Sequence, residues 1–128
     1  MDIYMKRAIF WIILALLIVA IVGVNYIAKR TPGKLDSFAQ CLNDSGTVYY
    51  GAFWCPNCQA QNKMFGKSKQ YLPYVECSTP DGKSQLQVCK DKNVTNYPTW
   101  EFPDGSRLLG QRSVSELSEK TGCALPSE

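Results

Sequence analysis

Histidine is absent from the 128 residues of this chain. Without an imidazole the chain lacks Ser-His and Cys-His nucleophile pairs, the usual proton shuttle and the ligand of most mixed zinc sites. A basic surplus is also missing beyond residue 30, where ten basic residues face ten acidic ones. Nucleic-acid binding is therefore disfavoured, because a phosphate backbone requires clustered Lys and Arg. The length leaves room for one modest domain.

A second pair of closely spaced cysteines is missing as well, although the chain has six cysteines beyond residue 40. These are Cys41, Cys55, Cys58, Cys77, Cys89 and Cys123. A four-cysteine zinc site needs two close pairs, and only Cys55 and Cys58 are close in sequence. So many thiols in a small domain indicate disulfides in an oxidising compartment, and we expect no metal site.

Residues 8–28 form one apolar run without a charged side chain. As a helix the run spans roughly 30 Å, which matches the hydrocarbon core of a bilayer. A buried core helix is disfavoured because so small a domain cannot surround it. A cleaved signal peptide is the other alternative, but the run is long and no small-x-small cleavage site follows. We therefore predict an N-terminal membrane anchor over residues 1–30, with the transmembrane helix at about 8–28.

The basic residues that flank this run do not settle its orientation. Lys6 and Arg7 precede it, whereas Lys29, Arg30 and Lys34 follow it, so the positive-inside count is nearly balanced. The six cysteines of the C-terminal domain decide the orientation, because disulfides persist outside the cytoplasm. We therefore expect the N-terminus in the cytoplasm and the C-terminal domain in the periplasm or at the cell exterior.

A linker at 31–34 leads to the predicted domain, residues 35–128. Helical and alternating apolar patterns, with a turn signal at Asp104-Gly105, predict the order α-β-α-β-α-β-β-α. Such a chain forms a mixed sheet with helices on both faces, an α/β fold. The predicted elements are helix 35–42, strand 47–53, helix 59–69, strand 74–77, helix 84–90, strands 99–102 and 107–109, and helix 113–121.

The motif Trp54-Cys55-Pro56-Asn57-Cys58 lies where a predicted strand ends and a helix begins. The N-terminus of a helix stabilises a thiolate, so Cys55 is the predicted nucleophile. Cys58 follows one turn later and can resolve a mixed disulfide at Cys55. Pro56 suits the helix start because no backbone N–H is needed there. A purely structural disulfide is disfavoured because a CxxC ring is short and easily reduced.

Tyr97-Pro98-Thr99 stands directly before the third predicted strand. A proline there is often only an edge marker. A cis peptide bond would instead expose the backbone of Tyr97 for pairing with an extended substrate next to Cys55. We therefore treat these three residues as candidate substrate-binding residues.

The strings WCPNC and TNYPTW resemble the thioredoxin superfamily, over roughly residues 35 to 123. More narrowly, YYGAFWCPNCQAQNKMFG, YVECS, Cys89 and YPTWEFPDG resemble the thioredoxin-like domain fused to bacterial and plant homologues of vitamin K epoxide reductase. The resemblance implies a domain that oxidises the thiols of folding secreted proteins and passes electrons to a four-helix membrane quinone reductase. This sequence lacks the four-helix part, so we expect the quinone-reducing partner to be a separate chain.

The resemblance also implies roles for individual residues. Cys55 corresponds to the attacking cysteine, Cys58 to the resolving cysteine, Trp54 to the residue that shields the motif, and Pro98 to the cis-proline. Where many thioredoxins carry a buried carboxylate, six residues before the first cysteine, this chain has Tyr49.

A second departure lies within the motif, where strong oxidants of the superfamily often have His and this chain has Pro56 and Asn57. We expect Cys55 to be less activated, and the couple less oxidising, than in those enzymes.

Six cysteines allow fifteen pairings, so the sequence alone leaves connectivity open. If Cys55 and Cys58 pair, the next expected bridge is Cys77–Cys89, which joins a strand end to the following helix and agrees with the resemblance. Cys41 and Cys123 would then form the third bridge or remain free buried thiols.

The predicted function is that of a membrane-anchored thiol-disulfide oxidoreductase that promotes disulfide formation in exported proteins without a cofactor. Its partners would be protein thiols and disulfides and a quinone-reducing membrane protein. The alternatives are a reductant of extracytoplasmic disulfides, for example in apocytochrome maturation, and a non-catalytic peptide-binding module.

Overall fold

The computed structural model describes residues 1–127 and divides the chain into two compact units, Met1–Thr31 and a second unit that begins at Pro32. The first unit is helix α1, Asp2–Arg30. Its stretch Asp2–Lys29 is long and apolar enough to cross a membrane, a property that a signal sequence shares. The helix begins earlier than the predicted 8–28 because Lys6 and Arg7 are themselves good helix formers.

The second unit has the predicted order of helices and strands, α-β-α-β-α-β-β-α, with one added 3₁₀ segment. Its elements are α2 (Asp36–Asp44), β1 (Val48–Gly51), α3 (Pro56–Phe65), the 3₁₀ segment Gly66–Tyr71, β2 (Tyr74–Glu76), α4 (Gln87–Asp91), β3 (Thr99–Glu101), β4 (Arg107–Leu109) and α5 (Val114–Thr121).

For α3, the CxxC motif predicted a helix start at Cys55 and Pro56, which is confirmed, whereas the predicted end at Lys69 is wrong. The helix begins at Pro56, because proline is well suited to a first helical turn. It ends at Phe65, because Gly66 adopts a φ of 54° that ordinary helical residues avoid.

The four strands form one mixed sheet in the order β2-β1-β3-β4. Strand β1 lies in the middle, parallel to β2 and antiparallel to β3, and β4 pairs with β3 in an antiparallel hairpin. Tyr49 faces Trp100 across β1 and β3, and Tyr50 faces Val75 across β1 and β2. The prediction of a mixed α/β sheet is confirmed.

Alternate residues of β1 point to opposite faces, and each face is covered. The Tyr49 ring stacks on Trp100 with centroids 4.4 Å apart, in the core that also contains Phe38 of α2 and Leu117 of α5. Tyr50 lies in a smaller cluster on the other face. This two-sided burial positions the carboxyl end of β1, where the cysteine motif follows.

Two disulfides cross-link the second unit, one between distant parts of the chain and one between consecutive elements. Cys41 of α2 is bonded to Cys123, which follows α5, with a Cα–Cα distance of 5.8 Å. Cys77 and Cys89 close the loop between β2 and α4, with a Cα–Cα distance of 5.6 Å. These are the pairs that the sequence analysis put forward for the four cysteines outside the CxxC motif.

Candidate active site

The cysteine pair lies at the junction of β1 and α3. After Gly51 the chain turns tightly, and the backbone N–H of Cys55 donates to the carbonyl of Ala52 at 3.0 Å. Cys55 has an extended backbone and caps the N-terminus of α3, and Pro56 occupies its first turn. Cys55 therefore stands at the positive end of the helix dipole.

The two sulfurs are free thiols that differ in accessibility. Cys55 is 8% exposed and Cys58 is 1% exposed, so an incoming sulfur can reach Cys55 first. Burial is the main cause that raises the pKa of the Cys58 thiol to about 11, and the nearby Cys55 adds to it. Hydrogen bonds from the Ala52 backbone and the Tyr49 phenol lower that pKa by smaller amounts. When the pair is reduced, Cys58 therefore holds its proton at neutral pH.

The peptide bond between Tyr97 and Pro98 is cis. The Tyr97 carbonyl lies 3.5 Å from the Cys55 sulfur, whose thiol donates to it. Pro98 is buried, and its own carbonyl accepts from Gly110 at 2.7 Å. The structure thus brings Tyr97 to Cys55 across 42 residues of chain.

Thr99, the third candidate substrate-binding residue, is turned inward. It is 1% exposed, and its hydroxyl donates to the carbonyl of Asn96 at 2.7 Å. Its side chain therefore supports the loop before β3 and offers no surface to a ligand.

Two exposed aromatic side chains directly precede Cys55 in the sequence. Trp54 is 47% exposed and Phe53 is 52% exposed. The Trp54 indole N–H donates to the Ser78 hydroxyl at 2.8 Å, and its ring meets that of Tyr97 edge to face, with centroids 6.1 Å apart. Trp54 therefore lies between Ser78 and Tyr97. Phe53 was not among the predicted site residues, because an aromatic residue at a strand end carries no separate sequence signal. Pro56 and Asn57 lie exposed on the first turn of α3.

The surroundings of Cys58 depend on a glycine. A Cβ at Gly51 would lie 2.6 Å from the Tyr74 ring and 3.1 Å from the Cys58 sulfur, so only glycine fits there. Behind the sulfur, the Tyr49 hydroxyl donates to the Cys58 carbonyl at 3.3 Å. Burial, and then the proximity of Cys58, raises the pKa of Tyr49, so this phenol stays neutral and donates.

The Tyr74 hydroxyl, which the sequence analysis did not single out, donates to Glu76 at 2.7 Å. The same carboxylate accepts from the backbone N–H of Ser78 at 2.8 Å and of Phe53 at 3.3 Å. Glu76 thereby links the end of β2 to the backbone of Phe53. No pattern in the sequence indicates a contact of this kind, because it joins neighbouring strands.

Within residues 1–127, no three Cys, Asp or Glu side chains come together as a metal site would require. What the junction does hold is one thiol within reach at a helix N-terminus and a second, more deeply buried thiol one turn later. That arrangement suits dithiol-disulfide exchange, in which one sulfur bonds the substrate and the other displaces it.

Comparison with known proteins points to the same chemistry, although no family model matches the chain. The chain is similar to the thiol-disulfide oxidoreductase LTO1 of Arabidopsis thaliana, with 40% identity over 94 residues. The match covers 70% of this chain and 24% of that relative, so the chain spans about a quarter of its length. The similarity relates this chain to a redox enzyme that acts on thiols and disulfides.

Proposed function

We propose that this chain is a thiol-disulfide oxidoreductase with a thioredoxin-like domain, and that Cys55 and Cys58 are its redox pair. The observation that carries the proposal is the asymmetry of the two thiols. Cys55 caps α3 beside the Tyr97 carbonyl, whereas Cys58 is buried behind it with a pKa of about 11. Similarity to a plant thiol-disulfide oxidoreductase supports the same conclusion.

The proposed reaction forms disulfides in exported proteins. A substrate thiolate attacks the Cys55 sulfur of the oxidised pair, the Cys55–Cys58 bond breaks, and Cys58 leaves with the electron pair and takes up a proton. Its raised pKa favours that protonation. The substrate's second thiolate then attacks the substrate sulfur of the mixed disulfide and releases Cys55. The substrate has lost two electrons, and the enzyme holds two thiols.

We further propose that the domain is of the kind fused to vitamin K epoxide reductase homologues, and that a separate quinone-reducing membrane protein re-oxidises Cys55 and Cys58. Residues 1–30 would be a membrane anchor, 31–34 a linker and 35–128 the thioredoxin-like domain in the periplasm or at the cell exterior. The bridges Cys41–Cys123 and Cys77–Cys89 support this placement because disulfides persist in oxidising compartments.

Two single substitutions test the catalytic roles. Cys58→Ser leaves an attacking thiol without its resolving partner, so it should accumulate covalent mixed disulfides with substrate proteins. Cys55→Ser should abolish both turnover and trapping. If both variants keep their activity, or if Cys58→Ser traps nothing, the pair is not catalytic and the domain is a peptide-binding module.

The direction of electron flow is tested by the reduction potential of the Cys55–Cys58 couple, measured by equilibration with glutathione buffers and alkylation of the free thiols. A value near about −200 mV or above supports an oxidant of substrate thiols. A value near about −270 mV would make the protein a reductant of extracytoplasmic disulfides.

A further inference from the structure

The loop between β2 and α4 folds back on itself and is closed at its base by a disulfide. Cys77 and Cys89 form that bridge, and the backbone N–H of Leu86 donates to the Cys77 carbonyl at 2.7 Å. Above it, Ser78 pairs with Gln85 as an isolated β-bridge. The tip turns at Gly82, which has a φ of 71°. We call residues 78–85 the disulfide loop.

The disulfide loop contacts two aromatic residues near Cys55, Trp54 and Tyr97. The Ser78 hydroxyl accepts from the Trp54 indole at 2.8 Å, and the Gln85 amide donates to the Tyr97 hydroxyl at 2.7 Å. At the tip, a Cβ on Gly82 would lie 3.5 Å from the Trp54 ring. The loop therefore lies along one side of the candidate active site.

A cavity of about 220 Å³ lies between the disulfide loop and these aromatic rings. Trp54 and Tyr97 line one side of it, and the loop lines the other. The carbonyl of Tyr97 is 3.5 Å from the Cys55 sulfur, so the cavity begins at a residue that touches the nucleophile. It is smaller than the roughly 300–1,000 Å³ typical of cofactor sites and suits a single side chain.

The polar groups of the cavity give it a charge preference. Lys83 is the only charged residue among those that line it, and no carboxylate lies among them. Within residues 1–127 the Lys83 ammonium forms no ion pair. Asp81, the nearest acidic residue in sequence, accepts from the Thr79 hydroxyl and the Lys83 backbone and is not part of the lining. Ser84 also lines the cavity.

We propose that this cavity is a subsite for an acidic side chain of the substrate polypeptide, close in sequence to its reacting cysteine. The carboxylate would meet the Lys83 ammonium and the Ser84 hydroxyl while the substrate sulfur lies at Cys55. This inference rests on the proposed function, since it concerns how that same site selects among polypeptides.

The test uses the oxidised full chain in detergent micelles and three single-cysteine peptides that carry Glu, Gln or Lys beside the cysteine. The second-order rate at which each peptide thiol reduces the Cys55–Cys58 disulfide is followed by alkylation and mass. Each rate is divided by that of the same peptide with a neutral small disulfide, because a neighbouring charge also changes the peptide's own thiol pKa. The assay requires no re-oxidant, so its result does not depend on the direction in which electrons flow in the cell.

We expect the Glu peptide to react about 2- to 5-fold faster than the Gln peptide, the size of one partly exposed ion pair, and the Lys peptide to be slowest. Lys83→Gln should remove this preference, and Lys83→Glu should reverse it. Lys90→Glu makes the same charge change on α4, outside the cavity, and should leave the order intact.

Equal rates for the three peptides with the unsubstituted chain would overturn the subsite while leaving the proposed function in place. The subsite would also be overturned if the preference for the Glu peptide persisted in both Lys83 variants. The same holds if Lys90→Glu reversed that preference as fully as Lys83→Glu does. If no peptide reduces the pair at all, or if exchange continues in Cys55→Ser, the proposed function fails and the subsite fails with it.

Discussion

Replacing Cys55 by serine isolates Cys58 as a single free thiol, and we expect this thiol to titrate well above pH 9. The structure raises its pKa from an ordinary value of 9.0 to about 11, mainly by burial. Two pKa units correspond to about 2.7 kcal/mol against the thiolate. Cys55 itself contributes to the upward shift, so the variant should titrate between these two values.

The assay is a pH titration of the thiolate by its ultraviolet absorbance, repeated as the pH dependence of alkylation. With a pKa of 11, about one molecule in a thousand carries the thiolate at pH 8, against about one in ten for an unshifted thiol. The same variant in denaturant is the control and should titrate near its ordinary value. A folded midpoint at or below pH 9 would refute the argument that burial keeps Cys58 protonated.

The raised pKa of Cys58 should also make the stability of the reduced protein depend on pH. Because the folded state disfavours the Cys58 thiolate, the unfolded chain ionises first as the pH rises above about 9. The free energy of unfolding of the reduced protein should then fall by about 2.7 kcal/mol in total as the pH rises from about 9 to above 11. The oxidised protein has no thiol at this position, so it should lack this component, and the difference between the two forms is the quantity to measure.

Three further outcomes are expected. Tyr49→Phe, added to the isolated Cys58 thiol, removes a hydrogen bond that lowers its pKa and should move the titration midpoint upward. Gln61→Met should lower the free energy of unfolding by about 2 kcal/mol or more, because the buried Gln61 amide is hydrogen-bonded to both the N–H and the C=O of Arg112. The matched control is Gln70→Met at an exposed position, which should lower it by less than about 0.5 kcal/mol. Removing the Cys41–Cys123 bridge, which closes 82 residues, should cost about 4.5 kcal/mol, against about 2.8 kcal/mol for the bridge that closes 12. Equal losses in denaturant unfolding for the two bridges would contradict this last estimate.

The order of the elements was predictable because each is indicated by residues close together in sequence. The aromatic run around Tyr49 predicts a central strand, and Asp104-Gly105 predicts the hairpin of β3 and β4. Boundaries were less accurate, because the end of a helix depends on the conformation of a single residue. Gly66, with its positive φ, ends α3 four residues before the predicted end at Lys69. The prediction did not weigh glycine as a signal for the end of a helix.

The candidate site was predictable only in part. Cys55 and Cys58 stand out as a CxxC pair between a strand and a helix, a purely local pattern. The contacts that surround them were missed. Gly51 allows Tyr74 to approach Cys58, and Glu76 bonds the backbone before Trp54, but both contacts join strands that are separated by more than twenty residues.

The sequence by itself determined the features that depend on neighbouring residues: the apolar N-terminal helix, the alternation of helices and strands, and the placement of Cys55 at a helix start. Only the tertiary structure decided the features that depend on distant ones. It buries Cys58 more deeply than Cys55, brings Tyr97 to Cys55, and places the disulfide loop beside Trp54. The physical reason is that burial and hydrogen bonding depend on which groups meet in space, and a short stretch of sequence does not contain those groups.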